Sequence, residues 1–139
     1  MSDQELTILL LEDDDLDAEA VYRACRKHDF DARMERAADG AAGLELARDL
    51  VQRDDGPPFV IVLDLNMPGM NGHEFLELIR SDERLSPLPV FVLTTSSHER
   101  DVRLAYRHHV AGYFTKEHLA DLIIALKSFR QGAIFPDVR

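Results

Sequence analysis

Carboxylates follow two apolar runs of this sequence, and their placement points to the chemistry of cations and phosphoryl groups. Asp64 comes directly after the run 59–63, and Glu12 and Asp13 come directly after the run 6–11. A continuous apolar run bounded by Gly, Pro and Asn is typical of a parallel strand covered on both faces. Because ligands of open α/β sheets collect at the carboxyl ends of the strands, the two runs could bring the three carboxylates together. Such a cluster would attract a hard divalent cation.

Hydroxyl and ammonium groups stand in the same position after two later runs. Thr94 and Thr95 follow the run 89–93, and Lys116 follows the run 110–115. A threonine hydroxyl can donate a hydrogen bond to one phosphoryl oxygen, and a lysine supplies positive charge for another. Mg²⁺ takes oxygen ligands and keeps waters, so two carboxylates and one backbone carbonyl would leave positions open for a phosphoryl oxygen. Together these groups would suit an aspartyl phosphate, formed when a carboxylate attacks phosphorus.

The elements that must position these groups follow from an alternation of apolar runs with segments of helical periodicity. This alternation predicts βα units and a parallel sheet. We predict one α/β domain over residues 1–139, with a doubly wound five-stranded parallel sheet in the flavodoxin-like order 2-1-3-4-5, helices on both faces and a short C-terminal extension at 132–139. The predicted strands are 6–11, 33–37, 59–63, 89–93 and 110–115, and the predicted helices begin after Asp14 or Asp15 and after Gly72 and cover 41–51, 99–109 and 119–131.

Helical periodicity also predicts which side chains are buried. Cys25, the only cysteine, is expected to be packed rather than reactive. The stripes expected to face the sheet are Leu16, Ala20, Val21 and Ala24 in the first helix, Phe75, Leu76, Leu78 and Ile79 in the third, and Leu119, Leu122, Ile123 and Leu126 in the last.

Composition argues against several classes of protein. The formal net charge is −10, whereas nucleic-acid-binding modules normally carry a basic face, so we expect no nucleic-acid partner. No apolar stretch is long enough to cross a bilayer, and the first residues lack the pattern of a secretion signal, so we expect a cytoplasmic protein without a membrane partner. One cysteine permits neither an internal disulfide nor a cysteine-based zinc cluster.

Four segments, 9–14, 62–72, 93–96 and 112–116, resemble in content and order the receiver domain of bacterial two-component response regulators. The resemblance spans essentially the whole chain. Segments 12–17 and 93–97 look most like the stand-alone subgroup that includes regulators partnered with bacterial phytochromes. That subgroup often carries a C-terminal extension and dimerises, and an apolar contact for a homodimer could come from Phe129, Ile134, Phe135 and Pro136.

The resemblance implies a role for each candidate site residue. Asp64 would be the phosphoacceptor, with Lys116 as the cation that pairs with the phosphate. Glu12 and Asp13 would hold Mg²⁺ beside Asp64, with Asp13 as a direct ligand. The remaining implied roles are a backbone carbonyl ligand from Asn66, the switch hydroxyl of Thr94 and the aromatic switch of Tyr113.

The resemblance also implies partners. The phosphoryl donor would be a phosphohistidine on a sensor histidine kinase or a histidine phosphotransfer protein, and the output would be changed binding to a downstream protein target. The chain would not be an enzyme beyond assisting its own phosphorylation and dephosphorylation.

One departure from the receiver pattern keeps an alternative function open, and two further functions are disfavoured. Receivers usually follow the lysine with proline, but Glu117 follows Lys116 here, which mildly favours a receiver-like binding module that does not depend on phosphorylation. An aspartyl-phosphate hydrolase would need a second acid two positions after the nucleophile, and Asn66 occupies that position. A flavodoxin is poorly supported, because no phosphate-binding loop rich in Ser, Thr and Gly follows the first run.

Overall fold

Five strands and five α-helices alternate along the chain. The computed structural model of the protein describes residues 6–53 and 59–132. The strands are β1 (Thr7–Leu11), β2 (Arg33–Ala37), β3 (Phe59–Leu63), β4 (Val90–Thr94) and β5 (Gly112–Thr115). The helices are α1 (Asp15–Lys27), α2 (Gly40–Val51), α3 (Gly72–Ser81), α4 (Glu99–Arg107) and α5 (Leu119–Gly132), with a 3₁₀ turn at Lys116–His118.

The sheet is parallel throughout and has the order β2-β1-β3-β4-β5, which confirms the predicted fold. β1 pairs with both β2 and β3, so the direction of winding reverses at β1 and opens a crevice at the carboxyl edge. In the β1–β3 register Leu11 lies opposite Leu63. The residues that follow these two strands, Glu12 and Asp64, therefore leave the sheet at the same level.

Two apolar layers hold the sheet between helices, because successive strand side chains point to opposite faces. Leu9, Leu11 and Ile61 belong to a core cluster that also contains Ala47 of α2 and Phe75 of α3. The other layer contains their neighbours along the strands, together with residues of α1 and α5: Ile8, Leu10, Val60, Val62, Val21, Leu122 and Leu126. Every residue of β1, β3 and β4 is buried, as expected for strands covered on both faces.

The predicted stripes were wrong at two leucines. Leu16 is 76% exposed and Leu78 is 43% exposed. Residues two apart on an α-helix point about 200° apart. Leu16 is two positions from buried Ala18, and Leu78 is two positions from buried Leu76, so each points away from its buried stripe. Ala20 and Ala24 are only half-buried, whereas Cys25 is buried as predicted and its burial raises the thiol pKa to about 11.

The end of α5 packs on its own domain. The ring of Phe129 meets that of Phe91 edge-on, with centroids 5.6 Å apart. The other residues predicted to form an apolar dimer contact, Ile134, Phe135 and Pro136, lie outside the described residues. Within the described ranges, no helix is long and apolar enough to cross a membrane.

Arg80 of α3 joins two connections at the amino edge of the sheet. Its guanidinium donates hydrogen bonds to the carbonyls of Ser86 and Leu88, at 2.7 and 2.8 Å, between α3 and β4. It also donates to the carbonyls of His108 and His109, at 2.7 and 3.1 Å, between α4 and β5. Burial lowers the pKa of Arg80, but a guanidinium stays charged in proteins, so it satisfies four carbonyls at once.

Replacing Arg80 with Ala is expected to lower the free energy of unfolding by about 3 kcal/mol, because four carbonyls lose a charged donor. Urea unfolding followed by far-UV circular dichroism measures the change. Arg84→Ala is the matched control, since Arg84 is exposed in the same connection. It should stay within about 0.5 kcal/mol of wild type. An equal decrease in the free energy of unfolding of the two variants would show that the hydrogen bonds of Arg80 to the four carbonyls do not stabilise the fold.

Candidate functional site

Three carboxylates meet at the carboxyl edge where β1 and β3 end. The side chains of Glu12 and Asp64 are 2% and 5% exposed, whereas Asp13 is exposed. One ligand oxygen from each residue lies within 4.8 Å of the others. This set contains only hard oxygen donors, so it fits a divalent cation such as Mg²⁺ or Mn²⁺.

Lys116 supplies the positive charge within this cluster. It is the first residue of the 3₁₀ turn after β5, and its Nζ lies 2.9 Å from Asp64 Oδ2 and 2.8 Å from Glu12 Oε1. A third carboxylate oxygen, Asp17 Oδ2 of α1, lies 2.6 Å from the same nitrogen. Lys116 therefore holds together groups from β1, β3, β5 and α1.

The pKa values of this cluster respond to burial and to the ion pairs in opposite ways. Burial alone would lower the pKa of Lys116, but the hydrogen bonds to Asp17, Glu12 and Asp64 outweigh it and raise the pKa above its usual range. Burial raises the pKa of Glu12. The hydrogen bonds from Lys116 and from the Asp14 amide lower this pKa by a smaller amount, so it stays above its usual value. Lys116 therefore remains charged, whereas the ionised form of Glu12 is destabilised by burial.

Local sequence fixes Glu12 from both sides. Asp14 caps α1, since its Oδ1 accepts from the amides of Leu16 at 2.8 Å and Asp17 at 3.3 Å. The Asp14 amide in turn donates to Glu12 Oε2 at 3.2 Å. On the β2 side, the Arg36 Nε donates to the Glu12 carbonyl at 2.9 Å. The helix cap and the neighbouring strand together hold the chain that carries the acids.

The loop after β3 orients the second oxygen of Asp64. The backbone amide of Asn66 donates to Asp64 Oδ1 at 3.0 Å, so one carboxylate oxygen faces the loop and the other faces Lys116. Gly72 lets α3 begin against this strand end, because a Cβ there would lie 2.5 Å from the Leu65 Cα and 3.0 Å from the Asp64 carbonyl oxygen. Only glycine fits this close approach.

Thr94 lies fully buried at the end of β4, beside the same loop. The Asn66 side-chain amide donates to the hydroxyls of Thr94 and Thr95, each at 3.4 Å. Asn66 therefore contacts both the acid that ends β3 and the hydroxyls that end β4.

Tyr113 belongs to a hydrogen-bond network that crosses four segments. Its hydroxyl donates to the Ser96 carbonyl at 2.7 Å, and the Ser96 hydroxyl donates to Asp101 Oδ2 at 2.6 Å. The other oxygen of Asp101 lies 3.0 Å from Nε2 of His73. Hydrogen bonds from Ser96 and then His73 lower the pKa of Asp101, and burial raises the pKa of Tyr113. The network joins β5 and the loop after β4 to α4 and α3.

The predicted site residues divide into two adjoining groups. Glu12, Asp13, Asp64 and Lys116 form one cluster, and Asn66 links Asp64 to Thr94. Tyr113 lies in the neighbouring network through Ser96.

Sequence reasoning missed three members of these groups. The placement of residues at strand ends assigned no role to Asp17 of α1, and it did not connect His73 with Asp101. A side chain on the first helical turn points back toward the helix start, which is the available signal for Asp17. The contact between His73 and Asp101 depends on how α3 packs against α4, and no pattern along the chain reports that packing.

Topology and site together define a doubly wound α/β protein whose switch-point crevice holds a buried aspartate, a lysine and two further acids that could share a cation with that aspartate. Residues 8–127 match the family described as the response regulator receiver domain. The chain therefore belongs to the response regulator receiver family.

Individual relatives support this assignment. The chain is 40% identical to the probable methanogenesis regulatory protein FilR2 of Methanothrix harundinacea over 109 residues, which cover 78% of this chain and 70% of FilR2. It is 37% identical to the response regulator Rcp1 of Synechocystis sp. over 117 residues, 83% of this chain and 80% of Rcp1.

Solved structures resemble the whole fold. The Mn²⁺-bound form of Rcp1 superimposes with a TM-score of 0.76 at 31% identity, covering 94% of this chain and 98% of that one. The phosphorylated cyanobacterial phytochrome response regulator RcpA gives a TM-score of 0.77 at 27% identity, covering 98% and 100%.

Proposed function

We propose that the protein is a stand-alone response regulator, a single receiver domain over 1–139, that accepts a phosphoryl group on Asp64 and signals by changed protein binding. The observation that carries the proposal is the Asp64 carboxylate, 5% exposed, with Lys116 Nζ 2.9 Å from one oxygen and two further acids close enough to share a cation. A buried carboxylate poised between a cation and a loop amide is suited to nucleophilic attack on phosphorus.

The donor in this proposal is a phosphohistidine on a sensor histidine kinase or a histidine phosphotransfer protein. An oxygen of Asp64 forms the new bond to phosphorus while the bond from phosphorus to the imidazole nitrogen breaks, and the electron pair returns to the imidazole. Lys116 would pair with one phosphoryl oxygen and offset the charge that develops there.

The cation in this proposal is Mg²⁺, held by Glu12, Asp13, Asp64 and the Asn66 carbonyl. When bound, Mg²⁺ neutralises charge on the transferring phosphoryl oxygens. One structural relative, Rcp1, was solved in an Mn²⁺-bound form, which supports a divalent cation in such a domain.

Phosphorylation would be read out through Thr94 and Tyr113. A phosphoryl group on Asp64 would add charge and acceptor oxygens to this edge of the sheet. Asn66 links that edge to Thr94, because its backbone amide donates to Asp64 and its side-chain amide donates to the Thr94 hydroxyl. A shift of Thr94 would move the loop that carries Ser96, whose carbonyl accepts from Tyr113. The surface of α4, β5 and α5 would then change its affinity for a downstream protein.

The relatives suggest the setting. Several structural neighbours are phytochrome response regulators, so a phytochrome-linked histidine kinase in the cytoplasm is the partner that we favour. A homodimer formed through residues after α5 stays part of the proposal. We propose no enzymatic output beyond the assisted gain and loss of the domain's own phosphoryl group.

Incubation with Mg²⁺ and acetyl phosphate, followed by intact mass measurement, tests the proposal. The wild type should gain one phosphoryl group, and chelation of the metal with EDTA should abolish the gain, because the acids would then lack the cation that neutralises the transferring group. A wild type that stays unmodified with Mg²⁺ present would contradict the proposal and favour a binding module independent of phosphorylation.

A further inference from the structure

Asp17 differs from the other two carboxylates that contact Lys116. Its oxygen lies 2.6 Å from the lysine Nζ, the shortest of the three contacts. Its side chain is 40% exposed, whereas those of Glu12 and Asp64 are buried. Asp17 is also outside the three-acid group that could share a cation.

Lys116 has as many N–H donors as there are carboxylates in contact with it. An ammonium group carries three N–H donors, and three carboxylates lie within 2.9 Å of it. Under the proposed function, Asp64 takes the phosphoryl group and Glu12 helps to hold the cation. Asp17 has neither task, so its contact with Lys116 can persist while the other two change.

The backbone around Asp17 is well placed to hold the lysine still. Asp17 lies on the first turn of α1, which Asp14 caps, and the next residue, Ala18, is buried against the sheet. Lys116 instead lies on a single 3₁₀ turn between β5 and α5, and a lysine side chain has a long flexible stem. The ion pair thus ties a flexible cation to a capped and packed helix.

We propose that Asp17 is a positioning residue that anchors the Lys116 ammonium beside Asp64 before and during phosphoryl transfer. This inference rests on the proposed function, because it assigns the cause of lysine placement in that same site. Asp17 does not touch the reacting atoms. It acts by restricting where the lysine charge can lie.

Heteronuclear NMR of the Lys116 ammonium tests the anchor without any phosphoryl transfer. In the wild type, an ammonium held by carboxylates should give a slowly exchanging signal that persists when Mg²⁺ is added. In Asp17→Asn the signal should be lost on addition of Mg²⁺. A signal that persists equally in the variant would overturn the anchoring role.

Phosphorylation by acetyl phosphate with Mg²⁺ tests the consequence. Asp17→Asn should be phosphorylated about tenfold more slowly than wild type, because small misplacements of a charge cost large factors in rate. Glu19→Gln is the matched control, since Glu19 is exposed on the same helix and loses the same charge. It should keep the wild-type rate.

Two results of the rate experiment would overturn the inference. A rate equal to that of wild type would make Asp17 a mere surface charge, and a faster rate would make it a competitor of the phosphoryl group for Lys116. If the wild type itself gains no phosphoryl group, the proposed function fails, whereas the NMR experiment still decides whether Asp17 anchors the lysine.

Discussion

The Asp64→Asn variant is expected to gain no phosphoryl group from acetyl phosphate and Mg²⁺, whereas the wild type gains one. An amide oxygen is a far weaker nucleophile than a carboxylate, and it cannot form the acyl phosphate. Intact mass spectrometry of both proteins after the same incubation measures the result. The expected effect is complete loss, since Asp64 is the aspartate among the described residues that combines burial with a lysine 2.9 Å away.

The variant should fold at least as stably as wild type, which separates lost chemistry from lost structure. Asp64 repels Glu12, since its charge raises the Glu12 pKa, and Asn relieves that repulsion. Asp39→Asn is the matched control, because Asp39 caps α2 outside the site. The side-chain oxygen of Asn can also accept the hydrogen bond from the Ala42 amide, so the cap is kept. Asp39→Asn should be phosphorylated as wild type is. A phosphoryl group on Asp64→Asn would place the acceptor at another residue.

The fold could be predicted because its strongest signals are local. Each central strand is a short apolar run, and in β1, β3 and β4 every residue is buried. The alternation of strands and helices led us to predict the strand order 2-1-3-4-5, and the sheet has that order. Helix ends differed from prediction by one or two residues, as for α4, which ends at Arg107 rather than at residue 109.

The two misplaced leucines show where composition misleads. Leu16 and Leu78 are apolar and adjacent to buried stripes, but helix geometry rotates both toward solvent. The stripe of α1 is set by Ala18, Val21 and Cys25, whose small side chains allow the helix to approach the sheet. Apolar character alone therefore identified the helix but not its orientation.

The site could be predicted in part because parallel strands deliver their ends to one edge. Glu12 and Asp64 follow paired strands in register, so their proximity is a consequence of topology. Contacts that depend on the packing of helices were not predictable in this way. Asp17 reaches Lys116 across 99 positions of sequence, and His73 reaches Asp101 across 28.

Electrostatics in this crevice depend on one lysine. Two buried acids, Glu12 and Asp64, would be costly in a chain that already carries a net charge of −10. Lys116 offsets them through contacts at 2.8 and 2.9 Å. In the absence of a cation the lysine is the charge that makes burial of these acids tolerable, so its removal should be visible in stability as well as in chemistry.

Lys116→Met is expected to lower the free energy of unfolding at pH 8 by about 3 kcal/mol, because two buried carboxylates lose their counter-charge. The loss should shrink as the pH falls toward 4. Burial already raises the pKa of Glu12 in the folded protein, and removing the lysine hydrogen bond raises it further. A carboxyl group whose pKa is raised by folding does not destabilise the protein at a pH below the pKa of that group in the unfolded state. Stability is then lost as the pH rises through the pKa of the group in the folded state. Urea unfolding at several pH values measures the trend.

A saturating concentration of Mg²⁺ should recover much of the loss at pH 8, because a cation bound by the acids replaces the missing positive charge. Lys27→Met is the matched control, since Lys27 is exposed at the end of α1 and its loss should cost only about 0.5 kcal/mol at every pH. A Lys116→Met deficit that is the same at pH 4 and pH 8 would show that lost packing of the lysine stem, rather than the uncompensated acids, destabilises the variant. A pH-dependent deficit that Mg²⁺ reduces would instead establish that the lysine and the cation stabilise the same carboxylates.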